Sequence, residues 1–349
     1  MKRRVYIYSP DLNIKRWQPL IEALKADFTV RSFHDLDVKR RFWLSSKKFK
    51  QNAIELPKLN LLLKDINNFK PDIIHILGEP SYFITFFLAY KYKGLIPVTC
   101  RGAQNIYVPK AWPFNFFWRV NRRLIRMVVS PAAYSMKFYR KNGYKQVCSI
   151  PNGVNEIFFE PLSDGGRSFD IGYIGKFAER KGIRVLLKAF DSIKDKKNII
   201  LIGHGPLESL IKEYAATTHH RVELLPPQSH VKLRNLFRTI DILVVPSVYS
   251  DGTDLGLGRL TKYLATPWLE QFGMVVVEGL ANGCEVICSD SGALAEFSCL
   301  GCAIVKAGSA RSLASGLEEA LAQKDRKSRE DLQNSVKSFS WEVISKEFG

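Results

Sequence analysis

The sequence predicts an α/β protein of two Rossmann-like, doubly wound domains with an interdomain cleft, and three observations predict it. Short β-rich runs alternate with helical patterns from one end of the chain to the other. Runs such as Asp72-Ile-Ile-His-Ile-Leu77 are apolar on both faces, as a parallel sheet covered by helices requires. A turn-rich break, Glu160-Pro-Leu-Ser-Asp-Gly-Gly-Arg167, separates two stretches with the same rhythm, and a length of 349 residues suits two domains. The expected division is 1–165, 166–328 and a helical tail, 329–349, that packs back toward the first domain.

In chain order, the first domain's strands are expected at Val5–Tyr8, Phe28–Phe33, Asp72–Leu77, Pro97–Gly102, Met127–Ser130 and Gln146–Ile150. Helical patterns fall between them at Lys15–Ala26, Tyr82–Tyr92 and Ala133–Lys141. The second domain repeats the rhythm with strands at Asp170–Gly175, Asn198–Gly203, Val222–Leu225, Asp241–Pro246, Glu285–Asp290 and Cys302–Lys306. The helix Ile183–Phe190 follows the first of these. A helix ending Ala281-Asn-Gly283 has a glycine stop signal, and the tail Phe339–Phe348 has helical periodicity with Ser340 as its cap.

Composition excludes several classes. With 46% hydrophobic and 25% charged residues the chain is an ordinary globular protein, and 23 Gly and 16 Pro without a period exclude collagen-like or low-complexity structure. The N-terminus lacks a long apolar run with a small-residue cleavage site, and Tyr82–Tyr90 is too short to span a bilayer. A cytoplasmic protein is therefore expected, with peripheral attachment to the inner face of the membrane as an option. Cys284, Cys288, Cys299 and Cys302 are spaced closely enough to raise a zinc site. The regular strand–helix rhythm around Cys288 favours buried thiols as small apolar residues instead.

The balance of 52 Lys+Arg against 34 Asp+Glu, a net charge of +18, calls for an anionic partner. The charge clusters with aromatic residues at Lys39–Lys50 and along Trp112–Arg126, a chemistry suited to a membrane surface. The alternative is a helix with its rings in the core and solvated cations outside. Nucleic acid is not expected, because no zinc-finger spacing or RNA-recognition signature accompanies the charge.

The chemistry is expected beyond the carboxyl ends of the second domain's strands, where open parallel sheets bind ligands. Lys176-Phe-Ala-Glu-Arg-Lys-Gly182 places cations beside a helix start, a setting for phosphate. Gly203-His-Gly205-Pro206 lacks the third glycine of a dinucleotide fingerprint. Pro246-Ser247 ends a strand. Further on, Glu270-Gln-Phe-Gly-Met-Val-Val-Val-Glu278 has Gly273 opening a helix whose N–H groups suit a diphosphate, with Met274 and Val275 next. Glu278 lies about a turn and a half inside that helix; the bland alternative for it is a salt-bridged helix residue.

At these residues the second half resembles the GT-B glycosyltransferases of the large retaining family 4. The resemblance rests on Pro151-Asn-Gly-Val154, Lys176–Gly182 after Gly175, Gly203–Pro206, Pro246-Ser247, the Glu-x7-Glu pair and Ser289-Asp-Ser-Gly-Ala-Leu-Ala-Glu296, in that order. The first half matches in rhythm, with Pro71-Asp-Ile-Ile-His75 its best segment. The resemblance implies a retaining, metal-independent transfer from a nucleotide-diphosphate sugar to a glycan or lipid-linked acceptor in cell-surface polysaccharide or glycolipid synthesis. No cofactor is implied. Glu270, Lys181 and Lys176 are then the catalytic candidates. Glu278, Gly273, Met274, Val275, Gly203, Gly205 and Ser247 would bind the donor, and His75, Arg101 and Asn152 would face the acceptor.

The chain departs from the family pattern at three places. The first β–α loop reads Ser9-Pro-Asp-Leu-Asn13 without paired glycines, and Arg101 stands in a segment where the family often has His. The segment Val248–Leu269 is long, which leaves Asp251 or Asp254 as alternatives for the first carboxylate. Asp35-Leu-Asp37 has the form of a metal motif, but a solvated turn is expected there. The rival readings are a GT-B sugar epimerase or phosphorylase, or a catalytically silent basic membrane- or nucleic-acid-binding protein with the same fold.

Overall fold

A computed structural model describes residues 2–10, 17–34, 56–103, 116–162, 166–250, 268–323 and 327–348. Asp35–Asp37, Lys39–Lys50, Asp251, Asp254 and residues 11–13 of the first β–α loop lie outside them.

The chain forms two compact units, one comprising Met1–Pro151 and Ile344–Gly349, the other Asn152–Ser250 and Leu269–Val343. This differs from the expected boundary at 165/166 and from a separate tail beginning at 329. The physical reason lies in the Pro151-Asn-Gly-Val154 segment, whose Val154 makes a parallel bridge with Ser340. The Val154 amide donates to the Phe339 carbonyl at 2.8 Å. Gly153 lies so close to the Trp341 indole that a Cβ there would sit 2.2 Å from it. Those interactions tie residues 152–160 to the second unit, upstream of the turn-rich break.

The first unit contains β1 (Arg4–Ser9), α1 (Gln18–Leu24), β2 (Thr29–His34), α2 (Leu56–Phe69), β3 (Ile73–Ile76) and α3 (Phe83–Lys91). It continues through β4 (Val98–Arg101), α4 (Phe116–Leu124), β5 (Met127–Ser130), α5 (Ala133–Lys141) and β6 (Val147–Ser149). The sheet is parallel in the order β2-β1-β3-β4-β5-β6. Tyr6, Tyr8, Ile74, Ile76 and Cys100 fill one face with residues of α2, α3 and α5. Ile7, Ser9, His75, Thr99 and Arg101 alternate with them and face the other way.

In the second unit, β7 (Phe169–Ile174), α6 (Ile183–Phe190), β8 (Asn198–Ile202), α7 (Glu208–Thr217), β9 (Arg221–Leu225), α8 (His230–Phe237) and β10 (Ile240–Val245) come first. After them come α9 (Met274–Ala281), β11 (Glu285–Ser289), β12 (Ala303–Val305), α10 (Ala310–Ala322), α11 (Arg329–Ser335) and α12 (Trp341–Ile344). The order β12-β11-β10-β7-β8-β9, all parallel, places successive strands outward on either side of a reversal between β7 and β10. Alternate strand residues pack into two separate cores. Ile171, Leu201 and Val244 join one and Ile200, Leu243 and Val286 the other, so helices cover both faces. Gly283 stops α9 with φ +72, its amide on the Leu280 carbonyl at 2.9 Å. Ser340 caps the tail helix through the Val343 amide at 3.2 Å.

The cysteines are placed by packing. Cys284 and Cys288 are fully buried, and burial pushes the Cys284 thiol up to about 12. Cys302 is also buried, while Cys299 is exposed. Among the described residues no three His, Cys, Asp or Glu side chains are grouped as metal ligands would be.

Candidate functional site

The reversal of strand order between β7 and β10 is where loops leaving the two carboxyl ends diverge and open a site. The loop after β7 enters a 3-10 turn, Glu179–Lys181, and then Gly182 in the left-handed region with φ +75 before α6 begins. A Cβ on Gly182 would lie 1.8 Å from the Pro246 carbonyl oxygen at the end of β10, so only glycine lets the two loops close together. The Val248 amide donates to the Arg180 carbonyl at 3.0 Å and holds them there.

On its other side the same loop is laced to the end of β8. The Phe177 amide donates to the His204 carbonyl at 2.9 Å, and the Leu207 amide to the Phe177 carbonyl at 3.1 Å. Gly203 and Gly205 permit this approach: a Cβ on the first would fall 1.9 Å from the Gly175 oxygen and on the second 2.3 Å from the Phe177 oxygen. Both glycines therefore shape the loop that carries Lys181. Lys176 is exposed on that loop, and its carbonyl accepts from the Tyr173 hydroxyl at 2.9 Å.

Lys181, Ser247 and Glu270 come together at the strand tips. The Lys181 ammonium pairs with Oε2 of Glu270, and the Ser247 hydroxyl donates to the same oxygen at 2.7 Å. Glu270 is only 8% exposed. Burial pushes its carboxyl up, but the Lys181 charge and hydrogen bond, the Ser247 hydroxyl and the Gln271 amide together hold it below the usual carboxylate range. Glu270 is thus a buried carboxylate that stays ionised at neutral pH. Burial and its negative charge in turn push the Tyr173 hydroxyl up.

The backbone of Glu270 is gripped from the loop after β11. The Ala293 amide donates to its carbonyl at 3.0 Å, and its own amide donates to the Ser291 hydroxyl at 3.4 Å. Gly292, at φ +62, lies against it; a Cβ there would be 2.4 Å from the Glu270 oxygen. The Ser289 hydroxyl donates to the Ser247 carbonyl, fixing that residue too. Ser289, Ser291 and Gly292 were not among the candidate residues of the sequence. Their one signal is the Ser289–Glu296 segment, which does not say what it touches.

Two residues beyond Gln271, Gly273 caps α9 with φ +93, packed so that a Cβ would meet Leu294 at 2.5 Å. The N-terminus of α9, with the Gly273, Met274 and Val275 amides in its first turn, brings the positive end of the helix dipole beside Glu270. Glu278 is half-buried within α9, and its carbonyl accepts from the Asn282 side chain at 2.9 Å. A cation, an ionised carboxylate and a helix N-terminus at one switch point can hold an anionic group and a polyhydroxylated one side by side.

The three candidates outside this cluster are buried. Asn152 belongs to the second unit, in the segment that pairs with residues 339–341. In the first unit, Arg101 donates to the Ile150 and Pro151 carbonyls at 3.0 and 3.1 Å and lies over the Trp17 ring. His75 shares its Nδ1 with the Thr99 hydroxyl at 2.8 Å, and the Phe348 ring meets it edge-on. Burial and the Arg101 charge push His75 down to about 3, so the ring is neutral at physiological pH.

The family described as Glycosyl transferases group 1 matches residues 154–339, the stretch that holds this cluster. An uncharacterized glycosyltransferase of Methanocaldococcus jannaschii is 27% identical over 203 residues, covering 57% of this chain and 50% of that protein. The lipopolysaccharide 1,2-N-acetylglucosaminetransferase of Salmonella typhimurium is 25% identical over 248 residues, covering 63% and 60%. The chain thus spans about half the length of the curated relatives it matches. The sucrose-phosphate synthase of Thermosynechococcus elongatus superposes with a TM-score of 0.74 at 20% identity over 100% of this chain and 98% of that one. That likeness shows the GT-B class of fold, two Rossmann-like domains.

Proposed function

We propose, from the premise that the chain belongs to the group 1 glycosyl transferases, that it moves a sugar from a nucleotide-diphosphate donor to a glycan or lipid-linked acceptor with retention of configuration. The observation that carries this reading is the Lys181–Glu270–Ser247 cluster beside the N-terminus of α9 at the second sheet's switch point. Departure of a nucleoside diphosphate builds negative charge on its phosphate oxygens. A preorganised ammonium and helix amides stabilise that charge most in the transition state, without the reorganisation that water would need. In this reading Lys181 moves from Glu270 to the diphosphate, joined by Lys176 from the exposed part of the same loop. Glu270, kept ionised, accepts hydrogen bonds from donor-sugar hydroxyls, while Glu278 holds the ribose.

The sugar passes through an oxocarbenium-like state, and the acceptor hydroxyl arrives on the face the diphosphate leaves. Lys181 and the helix supply the positive charge, so a metal-independent reaction is proposed. The family-4 assignment, the role of His75, Arg101 and Asn152 on the acceptor side, and work at the cytoplasmic face of a membrane belong to the same proposal. The Salmonella relative's lipopolysaccharide activity supports a cell-surface glycan context.

A donor panel tests this. Incubated with UDP-, GDP- and ADP-sugars, the protein is expected to bind one class and hydrolyse it slowly without acceptor. Failure to bind or turn over any of them would remove the transferase reading.

A further inference from the structure

Helix α3 has an aromatic ridge on the side away from its sheet. Ile84, Thr85, Leu88 and Ala89 are buried, whereas Phe83, Phe86 and Tyr90, spaced i, i+3 and i+7, line the opposite side, and Phe87 at its margin packs against the core. A water-facing helix surface ordinarily carries polar residues at those positions. Here Phe83 is 40% and Tyr90 65% exposed, with Phe86 and Phe87 half-buried between them. The rings touch in sequence: Phe83 lies 6.3 Å from Phe87, and Phe86 stacks on Tyr90 at 5.9 Å. Phe116 of α4, 46% exposed, meets Phe86 edge-on at 6.4 Å and widens the ridge.

Charge frames it with one sign. Lys91 and Lys93 follow Tyr90, and on α4 Arg119 and Arg123 stand one and two turns beyond Phe116; all four are exposed. From Pro80 to Asn155 the sequence contains no Asp or Glu at all, while Lys and Arg recur throughout. No helix among the described residues is long and apolar enough to cross a membrane.

We propose that this face of α3 and α4 docks on an anionic phospholipid bilayer. The rings sit at headgroup depth, where aromatic side chains are most favourable, and the flanking cations meet the anionic headgroups. The charge selects this occupant over a second copy of the chain, because self-pairing would bring two cationic rims together. Docking deepens the proposed transferase reading by supplying the surface on which a lipid-linked acceptor would be reached. Its test needs no donor, so the two can fail separately.

The experiment is co-sedimentation with vesicles containing phosphatidylglycerol, against vesicles of phosphatidylcholine alone, at about 50 and about 500 mM salt. The expected result is binding to the anionic vesicles that weakens at high salt, with little binding to neutral ones. Phe83→Ser combined with Tyr90→Ser, and separately Arg119→Gln combined with Arg123→Gln, should each weaken binding at least about tenfold. Thermal unfolding and nucleotide affinity should be unchanged in both. Equal binding to neutral vesicles, or wild-type vesicle binding by either folded variant, would overturn the proposal. So would a solution dimer that the aromatic variant dissociates, or RNA that displaces the vesicles from this face.

Discussion

Glu270 and His75 lie in different units, each in a chain segment flanking its sheet's switch point, and they treat a buried titratable group in opposite ways. In the second unit burial works against the Glu270 charge, but Lys181 and Ser247 more than offset it, and the carboxylate stays ionised. In the first unit burial and a neighbouring cation act together, and His75 is held neutral. Its Nδ1 meets Thr99, its Nε2 has no hydrogen-bond partner among the described residues, and Phe348 packs on the ring. A buried charge with an ammonium on a flexible stem beside it is equipped to exchange partners with a ligand. A neutral ring enclosed by packing is equipped to hold structure, which sets a bound on the acceptor role proposed for His75.

The comparison can be broken most sharply at two left-handed glycines. Gly182→Ala forces a Cβ against the Pro246 carbonyl and should cost the second unit about 3 kcal/mol or more in denaturant unfolding. Gly94→Ala, in the first unit, has the same backbone with φ +76 but nothing within 4 Å, and should cost only about 1 kcal/mol. Similar costs would mean that the loops at the switch point are not held together as described.

Glu270→Ala should lower donor turnover at least about tenfold, the scale of removing one charge-assisted hydrogen bond from the transition state. Unchanged turnover would move the first carboxylate elsewhere in the chain. A stability effect separates the two groups by pH. His75 has its folded value near 3, below its ordinary 6.5, so the unfolded chain takes up the proton first. Its contribution to stability is complete above about pH 6.5 and declines by about 1.4 kcal/mol per unit as the pH falls toward 3. Glu270, whose folded value is depressed, keeps its contribution above the ordinary carboxylate value of 4.5 and loses it only as pH falls through its lower folded value. Between pH 6.5 and 5, His75→Asn should therefore flatten the stability profile. The smallest effect belongs to Ser247→Ala, which removes one of two donors to Oε2 and should reduce turnover about fivefold, near 1 kcal/mol.

Much of the fold was legible because parallel strands buried on both faces leave apolar runs that stand out from their surroundings. All twelve strands of the described residues occur where those runs do, with ends displaced by a residue or two where pairing decides them: Gln146–Ile150 is β6, Val147–Ser149. The unit boundary was not legible. Turn-rich composition marks residues 160–167, whereas the packing of Gly153 and Val154 on residues 339–341 depends on a segment nearly two hundred positions away. At the site, Lys181, Ser247 and Glu270 could be named because their order along the chain follows a pattern. That one carboxylate oxygen receives both Lys181 and Ser247, and that Ser291 and Gly292 clamp the Glu270 backbone, are tertiary facts without a local signature. The aromatic ridge on α3 was visible only as an apolar stretch too short to span a bilayer, because its outward face depends on which side the sheet covers.

Calorimetric titration of UDP, GDP and ADP into the wild-type protein and into Lys181→Ala tests the diphosphate site most directly. One nucleotide should bind the wild type and bind the variant at least about tenfold more weakly, with thermal unfolding of the first unit unchanged. Equal affinity in the two proteins, or no binding of any of the three by the wild type, would contradict the assignment of Lys181 to the leaving diphosphate.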